Sequence, residues 1–145
     1  MQSDALELTI KLLLRFEGIR LKAYQDCVGV WTCGVGDTLG VTKSTVWTEA
    51  YAMQRLHIRA QQFMALVLQK CPQLSKESPQ RIASCVSLAY NIGVQAFGIS
   101  SVCRLTNHKE YNRASQSFAL WNKAGGKVVS DLTWRRAQEA QLYLS

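Results

Sequence analysis

Glu17, Asp26 and Thr32 are the residues whose types and spacing are best suited to chemistry. An apolar segment with helical spacing runs into Glu17, and a glycine-punctuated stretch then carries Asp26 and Thr32. Hydrolysis of a glycosidic bond needs two carboxyl groups in different environments, one acting as an acid and the other as a base or nucleophile. A hydroxyl beside the second carboxyl group can help to hold a water molecule. We therefore take these three residues as the candidate catalytic groups.

The element that must position Glu17 is a helix, which the apolar spacing predicts over residues 4–16. Four aliphatic residues fall on one face of that helix: Leu6, Ile10, Leu13 and Leu14. Glu17 follows Leu6 by 11 residues, about three turns, and so emerges on nearly the same face. Gly18 then supplies a helix stop. A carboxyl group at the edge of an apolar face is partly desolvated, which favours its protonated form and nominates Glu17 as the acid.

The elements that must position Asp26 and Thr32 are short strands, predicted in a small β region at about 19–40. Strand-forming residues alternate there with three glycines that mark turns or close backbone approaches: Tyr24, Val28, Val30, Trp31 and Val35, with Gly29, Gly34 and Gly36. A hairpin or a three-stranded sheet fits this pattern equally well. In either case Asp26 is expected at the first turn and Thr32 on the second strand.

The remainder of the chain is predicted to be helical. Thr48 can cap a long helix over about 49–69 that links the β region to a helical lobe at about 72–145. Four further helices are expected, over about 79–91, 101–106 and 109–120 and from Asp131 onward. The predicted fold class is α+β and mainly α, in one domain that spans residues 1–145.

Composition and charge narrow the class of protein. The chain has 145 residues, of which 48% are hydrophobic and 19% charged, an ordinary globular mixture. The net charge of +7 favours attraction to a polyanion such as nucleic acid, an anionic membrane surface or bacterial wall polymer. The basic residues are scattered, however, and no groove-reading motif accompanies them, so a nucleic-acid partner is not expected.

Cysteine and hydropathy patterns indicate neither a metal site nor a membrane span. The five cysteines are an odd number without Cys-x-x-Cys spacing, and the two histidines lie apart from any such ligand. We therefore expect no metal and no cofactor. No stretch approaches the roughly 18 apolar residues of a span, and no secretory signal is recognisable. The chain is expected to be soluble, without stable membrane insertion and without an export signal of its own.

The block from Glu17 to Gly36 resembles the catalytic signature of the phage-type lysozymes, the T-even phage lysozyme family or glycoside hydrolase family 24. That signature is a glutamate, eight residues, an acidic residue, five residues and a threonine, with glycines following. Residues that fill other family positions lie around it and downstream: Gly18, Arg20, Leu21, Tyr24, Gly29, Gly34, the segments 89–93 and 124–128, Phe97, Trp121 and the segment 134–139. The resemblance covers almost the whole chain.

This resemblance implies a lysozyme-like fold, with a small β lobe, a long linking helix and a helical C-terminal lobe. It implies a muramidase that hydrolyses the β-1,4 bond between N-acetylmuramic acid and N-acetylglucosamine in peptidoglycan and lyses the host cell. Glu17 would be the general acid, and Asp26 with Thr32 would activate water for inversion. Candidate sugar contacts by the same analogy are Tyr90, Asn91 and Ser100.

The resemblance also implies a place of action. A monomeric enzyme is expected to accumulate in the host cytoplasm until a phage holin permeabilises the membrane, and then to reach the wall in the periplasm. Some relatives are instead exported by an N-terminal membrane segment and regulated by a cysteine switch.

Two features depart from the family pattern or stay open. Asp37 stands where the family usually has histidine, and it is expected to add negative charge near the site. Arg135 or Arg136 is a possible partner for Glu17, as a last-helix arginine is in relatives, although the residues alone favour ordinary surface arginines. Three other functions remain as alternatives: a non-catalytic wall-binding module, a basic nucleic-acid-binding domain and a lytic transglycosylase. Retention of both carboxyl groups favours hydrolysis.

Overall fold

Seven α-helices and two short antiparallel hairpins follow one another along residues 2–145, the part of the chain that the computed structural model describes. The elements are α1 (Gln2–Glu17), β1 (Arg20–Gln25), β2 (Trp31–Gly34), α2 (Glu49–Lys70), α3 (Pro79–Ile92), α4 (Val94–Ile99), α5 (Ser101–Asn107), α6 (Tyr111–Ser117), β3 (Lys123–Ala124), β4 (Lys127–Val128) and α7 (Ser130–Leu144). Two 3₁₀ turns lie between these elements: Pro72–Lys76 between α2 and α3, and Phe118–Leu120 between α6 and β3. The predicted α+β, mainly helical fold class is confirmed.

Helix α1 ends at Glu17, as its apolar spacing predicted. Gly18 adopts a φ of +67°, and its N–H donates to the carbonyl of Leu14 at 3.0 Å. This left-handed conformation is one that residues with a side chain rarely adopt, so the glycine stops the helix. Ala5 and Leu13 are fully buried on the face by which α1 packs against the rest of the molecule. The buried face therefore fixes the direction in which the last residue of α1 points.

The first hairpin carries the other two candidate catalytic residues. Strands β1 and β2 are antiparallel, and Tyr24 pairs with Thr32. On the other edge of β1, Lys22 forms an isolated bridge with Val46, and Trp47 N–H donates to the carbonyl of Leu21 at 2.8 Å. The structure thus lies between the two predicted alternatives: it is a two-stranded sheet with a single bridge added on the outer edge of β1.

Helix α2 links this β region to the helical lobe, as predicted. Its first turn is capped by Thr48, whose side chain accepts from the N–H of Tyr51 at 3.1 Å. From its middle turns, α2 contributes Leu56 and Ala60 to a small core that it shares with α1 and with Val35. Its far end joins a larger core beneath the later helices. One rigid helix therefore contributes to both hydrophobic clusters.

The later elements differ in part from expectation. Ser78 caps α3 as predicted, by accepting from the N–H of Arg81 at 3.1 Å. Helix α4 and the hairpin β3–β4 were not predicted, and the helix expected over 109–120 is shorter and ends in a 3₁₀ turn. Asp131 lies inside the first turn of α7 rather than at its cap. Within residues 2–145, no helix combines the length and the apolar character that crossing a bilayer requires.

Candidate active site

Glu17 lies at the end of α1 with its side chain 18% exposed, and it forms an ion pair with Arg135 of α7. The Nη1 atom of Arg135 lies 2.5 Å from Oε2 of Glu17. The sequence interpretation that both last-helix arginines are ordinary surface residues is wrong, because Arg135 and Arg136 are both buried. The sequence did not indicate this burial, because two adjacent arginines are typical of an exposed helix face. The open question of a partner for Glu17 is answered in favour of Arg135.

Tyr24 of β1 and Gly36 complete the surroundings of Glu17. A Cβ atom on Gly36 would meet the carboxyl group of Glu17, so the backbone passes directly beside it. Burial and the nearby Glu17 carboxyl raise the pKa of Tyr24, while the guanidinium of Arg20, stacked 4.2 Å from the ring centroid, opposes that shift. Tyr24 therefore remains a neutral hydrogen-bonding group near the acid. The sequence pattern indicated only that Tyr24 lies on a strand, and not that its hydroxyl lies near Glu17.

Asp26 lies in the turn between β1 and β2, as predicted. Its Oδ1 accepts the backbone N–H groups of Val28 at 3.0 Å and Val30 at 2.8 Å. The side chain thus stabilises the turn, which is the ordinary task of an aspartate in a hairpin. Because both contacts engage Oδ1, they also hold the other oxygen, Oδ2, in a defined direction. The structural role of Asp26 is therefore shown, and its catalytic role stays a prediction.

Thr32 lies on β2 opposite Tyr24, also as predicted. Its side chain is 4% exposed, and its hydroxyl donates to the carbonyl of Val30 at 2.9 Å. That carbonyl belongs to a residue whose N–H holds Asp26. Thr32 and Asp26 are therefore connected through the backbone of Val30. A contact of the Thr32 hydroxyl with a water or a sugar stays a prediction.

Asp37 does not supply the free negative charge near the site that the sequence led us to expect. It is 4% exposed, and its Oδ2 lies 2.9 Å from Nε and 2.8 Å from Nη2 of Arg55. Nε of Arg59 lies 3.7 Å from its other oxygen. Both arginines project from α2, whose register places them four residues apart on one face. The charge of Asp37 is therefore balanced by two arginines, and these ion pairs connect the β region to the linking helix α2.

The three candidate sugar contacts lie in different environments. Tyr90 donates its hydroxyl to the carbonyl of Val35 at 2.6 Å, and burial raises its pKa. Asn91 is exposed, and its side-chain oxygen accepts from Arg136 at 2.9 Å. Ser100 is buried; it caps α5 by accepting from Cys103 N–H and donates to the carbonyl of Phe97. The structure favours a structural role for Ser100, because both functions of its hydroxyl are engaged inside the protein. Contacts with sugar by Tyr90 and Asn91 stay predictions.

The site residues offer acid–base chemistry rather than metal ligation. Among residues 2–145, no group of three or more histidine, cysteine, aspartate or glutamate side chains is arranged to hold a metal ion. Three groups lie around Tyr24: the carboxyl groups of Glu17 and Asp26, whose charges both act on the tyrosine, and the hydroxyl of Thr32 on the paired strand. Such a set can donate a proton and orient a water molecule.

Comparison with known proteins agrees with this chemistry. A family model described as phage lysozyme matches residues 14–139. The endolysin of Salmonella phage P22 is 38% identical, in an alignment covering 94% of each chain. The SAR-endolysin of Enterobacteria phage P21 is 30% identical, covering 88% of this chain and 77% of that protein. Among solved structures, the muramidase domain of SpmX from Asticaccaulis excentricus superimposes with a TM-score of 0.82 at 28% identity, covering 94% of this chain and 95% of that one.

Proposed function

The chain belongs to the phage lysozyme family, and we propose that Glu17 is its general acid while Asp26, with Thr32, positions the attacking water. The enzyme is an endolysin of the muramidase type, a glycoside hydrolase that cleaves the β-1,4 bond between N-acetylmuramic acid and N-acetylglucosamine in peptidoglycan. The observation that carries the residue assignment is the placement of Glu17. It is the carboxyl group held at the end of the amphipathic helix α1, with its side chain only 18% exposed and oriented by Arg135.

Glu17 has the surroundings that proton donation to a leaving sugar oxygen requires. Its carboxyl group is partly buried, and its direction is set by Arg135 and by the backbone at Gly36. A positioned acid of this kind contributes about 10²- to 10⁴-fold to a rate. In its protonated form Glu17 gives its proton to the glycosidic oxygen as the bond to the anomeric carbon breaks.

Asp26 and Thr32 act on the other reactant. Oδ1 of Asp26 is engaged by the turn, which supports Oδ2 as the atom that accepts a proton from water. The Thr32 hydroxyl, anchored to the carbonyl of Val30, can accept a hydrogen bond from the same water. Attack by this water from the face opposite the leaving group would invert the anomeric carbon. We propose the inverting course on that basis.

Analysis of digested peptidoglycan tests this function against the alternatives. Hydrolysis gives fragments with a reducing N-acetylmuramic acid end, whereas a lytic transglycosylase leaves an anhydro sugar, which is lighter by one water molecule, about 18 mass units. A wall-binding module would give neither product. Mass spectrometry therefore separates the three readings, and proton NMR of fresh products reports the anomer. An initial β-anomer at the new reducing end would contradict inversion.

We propose further that the chain works as a single monomeric catalytic domain and reaches the wall after a phage holin opens the membrane. Greater identity to a relative named endolysin than to one named SAR-endolysin supports this route. The SAR-endolysin name suggests a different secretion route for those relatives. Expression in a Gram-negative cell separates the two. Lysis that waits for chloroform supports a holin, and prompt lysis without a permeabiliser would contradict it.

A further inference from the structure

A buried carboxylate that the proposed chemistry does not use lies behind the Glu17–Arg135 pair. Glu139 of α7 is fully buried, and it contacts both arginines of the same helix. Its Oε2 lies 3.3 Å from Nε of Arg135 and 3.1 Å from Nη2 of Arg136, while Oε1 lies 2.6 Å from Nε of Arg136. Ser87 of α3 donates to Oε2 at 2.5 Å. The carboxylate is thus held by two helices.

These contacts assign each nitrogen of the Arg135 guanidinium to a different partner. Nε faces Glu139, and Nη2 faces the carbonyl and hydroxyl oxygens of Ser87 at 3.1 and 3.4 Å. Only Nη1 is directed at Glu17. The ring of Phe16, from the residue just before Glu17, lies 5.0 Å from the guanidinium carbon. A planar fork with two of its three nitrogens fixed has one direction left for the third.

Burial makes this arrangement costly. It raises the pKa of Glu139 and lowers that of Arg136, in each case against the opposing effect of the ion pair between them. Replacing such buried ion pairs with apolar residues is often neutral or stabilising, so stability alone is a weak reason for the cluster. The contacts of the cluster instead fix the orientation of Arg135, the member of the cluster that forms an ion pair with Glu17.

We propose that Glu139, together with Ser87, is a positioning residue that holds the Arg135 guanidinium against Glu17, an inference that rests on the proposed role of Glu17 as the acid. Glu139 does not touch the substrate in this scheme. It sets the direction of Arg135, and its negative charge offsets part of the positive charge that Arg135 and Arg136 place beside the acid.

Loss of the Glu139 charge should therefore change the pH dependence as well as the rate. The charged or titratable groups near Glu17 are Tyr24 from β1, Tyr90 from α3, and Arg135 and Arg136 from α7. Without Glu139, the two arginines are less compensated and favour the ionised form of Glu17 more strongly. We therefore expect the alkaline limb of the activity profile to move to lower pH in a variant without this charge.

The test is Glu139→Gln, compared with Glu77→Gln as a matched control. Glu77 is another largely buried, arginine-paired glutamate, but its partners Gln73, Arg81 and Tyr111 lie in the helical lobe outside the site. We expect Glu139→Gln to lower kcat about 10- to 100-fold, because small misplacements of a catalytic group have effects of this size. KM should stay nearly constant and the alkaline limb should shift to lower pH. Glu77→Gln should keep the wild-type kcat and profile.

Ser87→Ala provides a second variant if Glu139→Gln does not fold. It removes one oxygen atom and leaves both charges in place, so a smaller fall in kcat is expected with an intact fold. A folded variant of either kind with wild-type kcat and an unshifted profile would overturn the inference. Failure of the proposed function is distinguishable, because in that case Glu17→Gln itself would remain active.

Discussion

Gly36 lies directly against the carboxyl group of Glu17. A Cβ atom at this position would be 2.5 Å from Oε1 and 2.7 Å from Cδ of Glu17. Both separations are far below the roughly 3.5–4.0 Å at which carbon atoms pack. The backbone of Gly36 also has a φ of +66°, in the left-handed region that favours glycine. Gly36, two residues after the end of β2, thus limits the space in which the acid can move.

Gly36→Ala is expected to displace the Glu17 carboxyl group and reduce activity by about 100-fold, since a misplaced acid loses its alignment with the leaving oxygen. Gly40→Ala is the matched control, because Gly40 has a φ of +71° and nothing within 4 Å of its would-be Cβ. Both substitutions carry a similar backbone strain of about 1–2 kcal/mol. Rates of muropeptide release by the two purified variants, with melting temperatures, check this. Equal activity of the two would contradict a steric role for Gly36.

Glu17→Gln is expected to abolish lysis while the fold stays intact. An amide cannot donate the proton that the leaving oxygen needs, and a loss of about 10²- to 10⁴-fold is typical. The amide oxygen can still accept from Arg135, so the melting temperature should change little. Glu7→Gln on the same helix is the control, because Glu7 is exposed and only loosely paired with Lys11 at 3.8 Å. Wild-type turbidity clearance by Glu17→Gln would end the assignment of the acid.

Asp26→Asn is expected to separate the catalytic task of this residue from its structural one. An asparagine oxygen can replace Oδ1 in accepting from Val28 and Val30, so the turn should persist. The base is lost, and activity should fall by about 10²- to 10⁴-fold. Asp26→Ala should lose the same activity and also about 0.5–2 kcal/mol of unfolding free energy, by analogy with other lost caps. Urea unfolding and activity together distinguish the two variants. An active Asp26→Asn would show that the turn contact is the only task.

The parts of the fold that were predictable are those with local signals. Glycine stops, hydroxyl caps and apolar spacing predicted α1, α2 and α3 closely, because each signal depends on a few neighbouring residues. Helix α4 was missed since Gly93, with a φ of +96°, separates it from α3 without a polar linker. The hairpin β3–β4 has only two residues in each strand, too few for an alternation pattern to be visible.

Only the part of the candidate site that lies in the N-terminal stretch of the chain could be predicted from the sequence. Glu17, Asp26 and Thr32 lie within one short stretch, so their spacing was readable directly. Arg135 lies 118 residues from Glu17, and Ser87 of α3 reaches Arg135 and Glu139 only because α7 packs on α3. The residues that neighbour an arginine in the sequence indicate neither its burial nor the direction of its guanidinium group. The same reasoning explains Asp37, whose partner Arg55 is 18 residues away on another element.

The last prediction concerns the stability of the helical lobe at acid pH. Burial opposes ionisation of Glu77, but hydrogen bonds from Gln73, Tyr111 and Arg81 outweigh it and lower the pKa of Glu77 below its ordinary value of 4.5. A carboxyl group with a lowered folded-state pKa stabilises the protein above its unfolded pKa, and that stability is lost as the pH falls through the folded pKa. Glu77→Gln should therefore lower the free energy of unfolding by about 1–3 kcal/mol at pH 7. The difference from the wild type should shrink steadily below pH about 4.5.

Urea unfolding at several pH values measures this difference in unfolding free energy, with Glu110→Gln as the control. Glu110 pairs with Arg113 at 2.8 Å, but both side chains are largely exposed, so a change of at most about 1 kcal/mol is expected there. A Glu77→Gln deficit that stayed constant down to pH 3 would show that its cost arises from lost packing rather than from the ionised carboxylate.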